Sequence, residues 1–280
     1  MADETLRLWL EDSYNDQVAL RVRVREALAS LVTPFQRIEV YDSWTLGRIL
    51  CLGGRIVLTS VDEAIYSEGL VHPALACHPA PRRVCILGGG DGGVAREVAR
   101  HPGVESIDVV EIDEGLVALV REFFPGAAAG LDDPRCHLLI DDAHRFLATE
   151  PEPYDVVIVD ADSLQDSASE AVLRLPFGQV LRQAVASDGI LVAPLGLPTL
   201  SAATCRQTLG QLRDAFAHVH CYSFSTPSVL GHRWVIAWCS DHLRPTPCEP
   251  FPQLGETAFW DPVLQPGLFV LPRQLRQALG

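Results

Sequence analysis

No apolar run in this 280-residue chain approaches the ~18 residues that cross a bilayer. The N-terminus, Met1-Ala-Asp-Glu-Thr, is acidic and lacks the apolar core of an export signal. A cytoplasmic location is expected, with no membrane partner. Positive charge is also scarce, since 22 Lys and Arg stand against 36 Asp and Glu and leave a net charge of −14. Nucleic acid, whose phosphates require a basic face, is not an expected partner, whereas a cationic small molecule is compatible with that balance. Acidity that serves only solubility would look the same. The eight cysteines (Cys51, Cys77, Cys85, Cys136, Cys205, Cys221, Cys239, Cys248) form no CxxC pair. Cys77-His78 has no spaced partners, so neither a metal site nor a disulfide framework is expected. Repeats and low-complexity segments are missing, and 48% hydrophobic with 21% charged residues describes an ordinary globular chain.

Against this background one stretch stands out. Val84-Cys-Ile-Leu joins an apolar strand to Gly88-Gly-Gly-Asp91-Gly-Gly93, five glycines interrupted by one carboxylate. Glycines allow a sharp turn and close approach of a ligand to the backbone. In a dinucleotide-type loop that space receives an anionic pyrophosphate at a helix N-terminus, and Asp91 would repel it. Gly88 and Gly90 therefore read as part of a nucleoside site whose ligand is uncharged or cationic where a phosphate would lie. A bare strand-to-helix turn is the alternative, but it requires fewer glycines. Glu111 follows Gly90 by 21 residues and ends the apolar run Ser106-Ile-Asp-Val-Val-Glu111. At this spacing an acid takes ribose hydroxyls in doubly wound folds.

The rest of the chain organises around that loop. Residues 1–70 alternate apolar and polar positions, as in Val22-Arg-Val-Arg and Phe35-Gln36-Arg37-Ile38-Glu-Val40-Tyr, with Gly53-Gly54 as a hairpin turn. This predicts a small antiparallel β domain, with a helix over 62–76. Over residues 71–240, strands at 84–90, 106–112, 136–140, 155–160 and 189–194 alternate with helices at 92–100, 114–123, 143–148, 168–185 and 200–216. A closing strand pair without an intervening helix is expected at 218–225 and 233–239. The predicted fold class is α/β, a Rossmann-like sheet of the methyltransferase type, mostly parallel with an antiparallel last strand. The proline-rich tail, 241–280, is expected to wrap the catalytic domain. Four successive predicted strands end in acid: Asp91, Glu111, Asp141-Asp142, and Asp160 with Asp162. Turn-forming and helix-capping Asp accounts for any one of these, and Asp113 and Asp166 read that way. Four converging at the carboxyl edge of one sheet imply a cation or donors in the space between them.

The string GGGDGGVAREVARHPGVESIDVVEID closely resembles the polyamine aminopropyltransferases. The resemblance extends through Phe35-Gln36-Arg37-Ile38, Leu58-Thr-Ser-Val-Asp62-Glu63-Ala-Ile-Tyr66, His72-Pro73, Phe259-Trp260-Asp-Pro262 and Phe269-Val-Leu-Pro-Arg273. It implies decarboxylated S-adenosylmethionine as co-substrate, with no prosthetic group and no metal. By resemblance Gln36 contacts the donor, Asp91 its aminopropyl amine, Glu111 the ribose hydroxyls, and Asp142 with Ala143 the adenine edge. Asp160 becomes the catalytic carboxylate and Tyr66 orients the attacking amine. Trp9 and Asp162 join Tyr66 and Asp160 on the acceptor side. Association through the N-terminal unit, as a homodimer or homotetramer, is also implied. Asp91 supports the donor assignment on physical grounds, because ordinary S-adenosylmethionine carries a carboxylate beside its amine.

Departures concentrate on the acceptor side. The family's catalytic loop is an Asp, two residues, then Asp-Pro, whereas this chain reads Asp160-Ala-Asp162-Ser-Leu-Gln-Asp166 without proline. Ser67 stands where Gln or His is usual. Ser228 or Val229 occupies the place of a substrate-binding Tyr, with Tyr222 the nearest aromatic. Putrescine or another polyamine is the expected acceptor. Two other readings stay open: methyl or aminocarboxypropyl transfer from S-adenosylmethionine on the same fold, and a non-catalytic nucleoside-binding subunit.

Overall fold

The computed structural model describes residues 8–149, 152–161, 177–229, 231–246 and 254–280. Its N-terminal unit is a five-stranded antiparallel meander in chain order: β1 (Leu8–Asn15), β2 (Val18–Val32), β3 (Arg37–Ser43), β4 (Arg48–Leu52) and β5 (Arg55–Thr59). Period-2 alternation sends side chains to opposite faces. Leu10, Val22, Val24, Ile49 and Cys51 pack together on one side. On the other, Ile38, Val40, Leu50 and Leu58 meet Leu116, Val120 and Phe124 of helix α3 and its end, which fixes the meander to the second unit. Gly53 and Gly54, at φ 59° and 85°, make the β4–β5 hairpin turn expected from the sequence.

Strand β1 was not among the expected strands. Its inward set is Leu10, Asp12 and Tyr14, and the buried Asp12 interrupts the apolar pattern by which a strand is recognised. Asp12 Oδ1 accepts from Arg55 Nε at 2.6 Å, so the buried charge is paired across to β5. Strand β2 is longer than the alternation suggested and carries irregularities between Val24 and Glu26 and between Ala27 and Ala29. Such bulges bend a long strand and blur its period.

The second unit is a seven-stranded sheet in the order β11-β12-β10-β9-β6-β7-β8. Its strands are β6 (Arg83–Gly88), β7 (Ser106–Glu111), β8 (Cys136–Ile140), β9 (Tyr154–Asp160), β10 (Val185–Gly196), β11 (His218–Phe224) and β12 (Trp234–Ser240). Strands β6 to β10 are parallel, while β12 runs antiparallel to β10 and β11 antiparallel to β12. The chain steps outward from β6 to β8, then returns to place β9 on the other side of β6. That reversal opens a crevice at the carboxyl ends of β6 and β9, the usual ligand position in such sheets.

Helices α1 (Glu63–Leu75), α2 (Gly93–Ala99), α3 (Glu114–Phe123), α4 (Pro125–Ala128), α5 (Ala143–Leu147), α6 (Phe177–Ala184) and α7 (Pro198–Ala215) complete the layers. Asp113 caps α3, accepting from Gly115 N at 3.1 Å, as expected of a turn former. Helix α7 begins two residues earlier than the pattern suggested because Pro198 suits a first helical turn, and it breaks at Ser201. The expected start of the helix before β10 lies outside the described residues, and its end agrees with α6.

The tail does more than wrap. Trp260, 2% exposed, enters the central core, and Glu68 on α1 accepts from the backbone N–H groups of Ala258, Phe259 and Trp260 at 2.7–2.8 Å. Helix α8 (Gln265–Leu268) follows, and α9 (Arg273–Leu279) buries Leu275 and Leu279 in the core on the α7 side. Among the described residues, no helix is long and apolar enough to cross a membrane.

Candidate active site

The glycine loop turns where β9 ends. Gly88 pairs with Asp160 across the parallel β6–β9 ladder, and Gly89 N donates to Asp160 O at 3.2 Å. Gly88 sits at φ 88°, and a Cβ there would lie 2.3 Å from Asp160 O. No side chain fits, so the two strand ends close on each other and bring Asp160 beside the loop. At Gly90 the limit is a different one: a Cβ would meet Glu111 Cγ at 2.6 Å. That clearance lets Glu111 Oε2 accept from Gly90 N at 3.1 Å while Oε1 accepts from Asp113 N at 2.8 Å. Two backbone donors thus hold Glu111 in one orientation. Burial nevertheless pushes its carboxyl up to about 7.

Asp91 Oδ1 accepts from Gly93 N at 2.7 Å at the start of α2. Burial first, and the neighbouring Glu63 carboxylate second, push Asp91 up to about 6. Glu63 is itself held by a bidentate pair with Arg96, at 2.9 Å for each contact, and accepts from Ser67 Oγ at 2.8 Å. Ser67, one of the departures, therefore spends its hydroxyl on this pair and is absent from the cavity wall. The Arg96 charge is shared between Glu63 and Glu97 and lowers the Asp91 carboxyl less than burial and Glu63 raise it, and Asp91 lines the cavity.

The crevice holds a cavity of about 280 Å³. Its wall includes Gln36, Gly88, Gly90, Asp91, Glu111, Asp142, Ala143, Asp160 and Tyr66, so the strand-end acids among the described residues do converge as the alternation implied. Asp141 also lines it and forms an ion pair with Arg145, which holds its carboxyl below the usual range. Asp142 caps α5, accepting from Arg145 N at 3.0 Å. Gln36 Nε2 donates to Asp113 Oδ2 at 3.1 Å, which fixes its amide at the rim. The described wall carries five carboxylates and no Lys, Arg or His. Such a surface selects cationic and hydroxyl-bearing ligands.

Trp9 is not brought into the cavity. It lies 48% exposed on β1, with the Arg21 guanidinium over its ring at 5.7 Å. Asp162 and Asp166 lie outside the described residues. Val229 is buried against Tyr14 and Leu197, and the fully buried Tyr222 donates to Gly69 O at 2.7 Å, so neither supplies an aromatic to the wall. The residues that sequence reasoning missed are Phe35, quoted only as part of a motif, the apolar trio Leu50, Leu52 and Val57, and Trp234 at the start of β12. Trp234 reads in sequence as one more apolar strand residue. Among the described residues, no cluster of three or more His, Cys, Asp or Glu is arranged to hold a metal ion.

Comparison with known proteins agrees with this geometry. Residues 63–247 match the family model of the spermine/spermidine synthase domain, and residues 8–60 that of the spermidine synthase tetramerisation domain. Polyamine aminopropyltransferase 1 of Pseudomonas aeruginosa is 37% identical over 268 residues, 93% of each chain. The polyamine aminopropyltransferase of Agathobacter rectalis is 33% identical over 281 residues, 98% of each. A solved spermidine synthase in complex with the transition state analogue AdoDATO superposes with a TM-score of 0.92 at 25% identity, covering 98% of this chain and 95% of that one. The spermidine synthase of Thermotoga maritima gives a TM-score of 0.89 at 25% identity, covering 98% and 94%. The chain belongs to the spermine/spermidine synthase family.

Proposed function

We propose that the protein is a polyamine aminopropyltransferase that moves the aminopropyl group of decarboxylated S-adenosylmethionine to an amine, putrescine or another polyamine, and releases methylthioadenosine. The observation that carries this reading is Asp91, a largely desolvated carboxylate of the loop, set in a wall whose described residues include no cationic side chain. The decarboxylated donor presents a bare ammonium there. Ordinary S-adenosylmethionine would add a carboxylate against Asp91, which disfavours methyl or aminocarboxypropyl transfer. Retention of Asp160 and Tyr66 in the same cavity disfavours a purely binding role.

In this reading Glu111 takes the ribose hydroxyls, Asp142 and Ala143 the adenine edge, and Gln36 the donor at the rim. Gly88 and Gly90 keep the loop clear of side chains. The acceptor nitrogen attacks the methylene carbon next to sulfur. The new C–N bond forms as the C–S bond breaks, and its electron pair neutralises the sulfonium. Sulfonium is a ready leaving group, so positioning and an unprotonated nucleophile are the enzyme's main tasks. Asp160 accepts a hydrogen bond from the attacking amine and takes its proton, while Tyr66 orients the nitrogen. The N-terminal meander is the assembly unit, as a homotetramer or a homodimer.

Parallel incubation with decarboxylated and ordinary S-adenosylmethionine and a panel of di- and polyamines tests the reading. Methylthioadenosine from the decarboxylated donor alone is expected. S-adenosylhomocysteine from the ordinary donor would replace it with methyl transfer, and donor binding without turnover on any amine would favour the non-catalytic role.

A further inference from the structure

The fifth glycine of the loop does not serve the cavity. Gly93 is absent from the cavity wall, yet a Cβ there would lie 2.2 Å from Glu63 Oε1 and 2.6 Å from Ser67 Oγ. Its missing side chain lets two side chains of α1 reach the first turn of α2. They arrive beside the residue whose N–H binds Asp91 Oδ1 at 2.7 Å. Asp91 lines the cavity, Glu63 does not, and Gly93 meets both.

The carboxylate brought there binds a guanidinium. Arg96 gives both terminal nitrogens to Glu63 at 2.9 Å, and Ser67 Oγ adds a third donor at 2.8 Å. The remaining Arg96 Nε goes to Glu97 at 2.9 Å. Glu97 is shared, because Arg100 Nη1 binds it at 2.6 Å and His72 Nε2 lies 3.2 Å away. Glu68, 4.0 Å from Arg100, is held by three backbone N–H groups of the tail. Glu63 and Glu97 together thus match Arg96 and Arg100, and Asp91 is not needed as a counterion for Arg96.

Resting on the proposed donor, we infer that Glu63 is a positioning residue for donor specificity: by holding Arg96 it keeps the charge of Asp91 for the donor's ammonium, and so sets the preference over ordinary S-adenosylmethionine. Without the Glu63 charge, Arg96 and Asp91 would offset each other, and the field at the ammonium position would fall from net negative toward neutral. The same change would lessen the repulsion of a ligand carboxylate. The present balance is visible in Asp91 itself, which Glu63 raises more than Arg96 lowers. The other ionisable groups of the described cavity wall are Glu111 after β7, Asp141 and Asp142 after β8, Asp160 at the end of β9, and Tyr66 from α1. None of them supplies a cation.

The test is calorimetric titration of the full-length protein with decarboxylated and with ordinary S-adenosylmethionine at pH 8, in the wild type, Glu63→Gln and Glu63→Gln/Arg96→Gln. Methylthioadenosine release by the wild type, with a panel of amines, is measured alongside. Glu63→Gln should narrow the ratio of the two dissociation constants about tenfold, and removing Arg96 as well should restore most of it. In Glu63→Gln the fall in decarboxylated-donor affinity that belongs to Asp91, whose carboxyl is pushed up to about 6 in the wild type, should also move down by about one pH unit. A purely structural role would weaken both donors in proportion at every pH, and the second substitution would deepen the loss. That outcome, or an unchanged ratio in Glu63→Gln, would overturn the inference. Should the double variant fail to fold, the pH shift in Glu63→Gln decides, its presence supporting the inference and its absence overturning it. A wild type that prefers the decarboxylated donor but releases no methylthioadenosine contradicts the transfer reaction, while the ratio still decides the role of Glu63. A wild type with no donor preference overturns that role itself.

Discussion

The two sides of one cavity are built by different means. The side proposed for the donor is made by backbone: Gly88 and Gly90 have no room for a side chain, Glu111 is held by two main-chain N–H groups, and Asp142 is bound to the first turn of α5. The side toward β12, beyond Asp160, is made by side-chain packing, with Tyr66 from α1 and Trp234 from β12 in edge-on contact. Backbone-defined geometry ties residue identity to a strict spacing, so it tolerates little change. A packed aromatic wall can be rebuilt from another element.

The largest expected effect separates chemistry from donor binding. Asp160→Asn should lower kcat by about 10²–10⁴-fold, the range for removal of a general base. Donor affinity, measured by calorimetry, should change little. Comparable loss of both would merge the two sides into one functional unit.

The next effect is in pH and belongs to the donor side alone. In the proposed reaction Asp91 and Glu111, pushed up to about 6 and about 7, receive an ammonium and ribose hydroxyls best when ionised. Donor affinity should thus level off above about pH 8 and weaken as pH falls through 7 and then 6, by up to about tenfold per unit for each group. Acceptor analogues lacking an ionisable amine should not follow this curve. Free-protein stability should move oppositely in this window. A carboxyl whose folded-state value is raised binds more protons folded than unfolded, so its contribution falls as pH rises from about 4 to about 7. Saturating donor should suppress that fall in a thermal melt.

A smaller, structural effect concerns how α1 is anchored. Glu68→Gln removes the charge that accepts three backbone N–H groups from the tail, which should cost about 1.5–3 kcal/mol and several degrees of Tm. Because α1 also carries Tyr66, acceptor KM should respond before donor KM.

What could be read from the sequence follows the same division. The loop, Glu111 and the strand-end acids were legible because strand, glycine and carboxylate fall at spacings that only a parallel sheet brings together. The alternation of elements likewise announced the sheet and its antiparallel closing pair. Strand β1 stayed hidden because Asp12, an inward charge, requires a partner 43 residues away that local pattern cannot reveal. Trp234 stayed hidden because its place in the cavity wall depends on strand order. Trp9 was assigned to the acceptor side by resemblance and lies on an exposed face of β1, and the tail's entry into the core rests on Glu68, which no local rule links to residues 258–260.

In the proposed reaction Asp91 chooses the donor by its charge. Its most direct test is the ratio of dissociation constants for ordinary over decarboxylated S-adenosylmethionine, in the wild-type protein and in Asp91→Asn, by calorimetry at pH 8. A strong wild-type preference for the decarboxylated donor is expected, with a loss of about 1.5–3 kcal/mol of it, roughly ten- to a hundredfold, in the variant. A ratio that is the same in both proteins would contradict it.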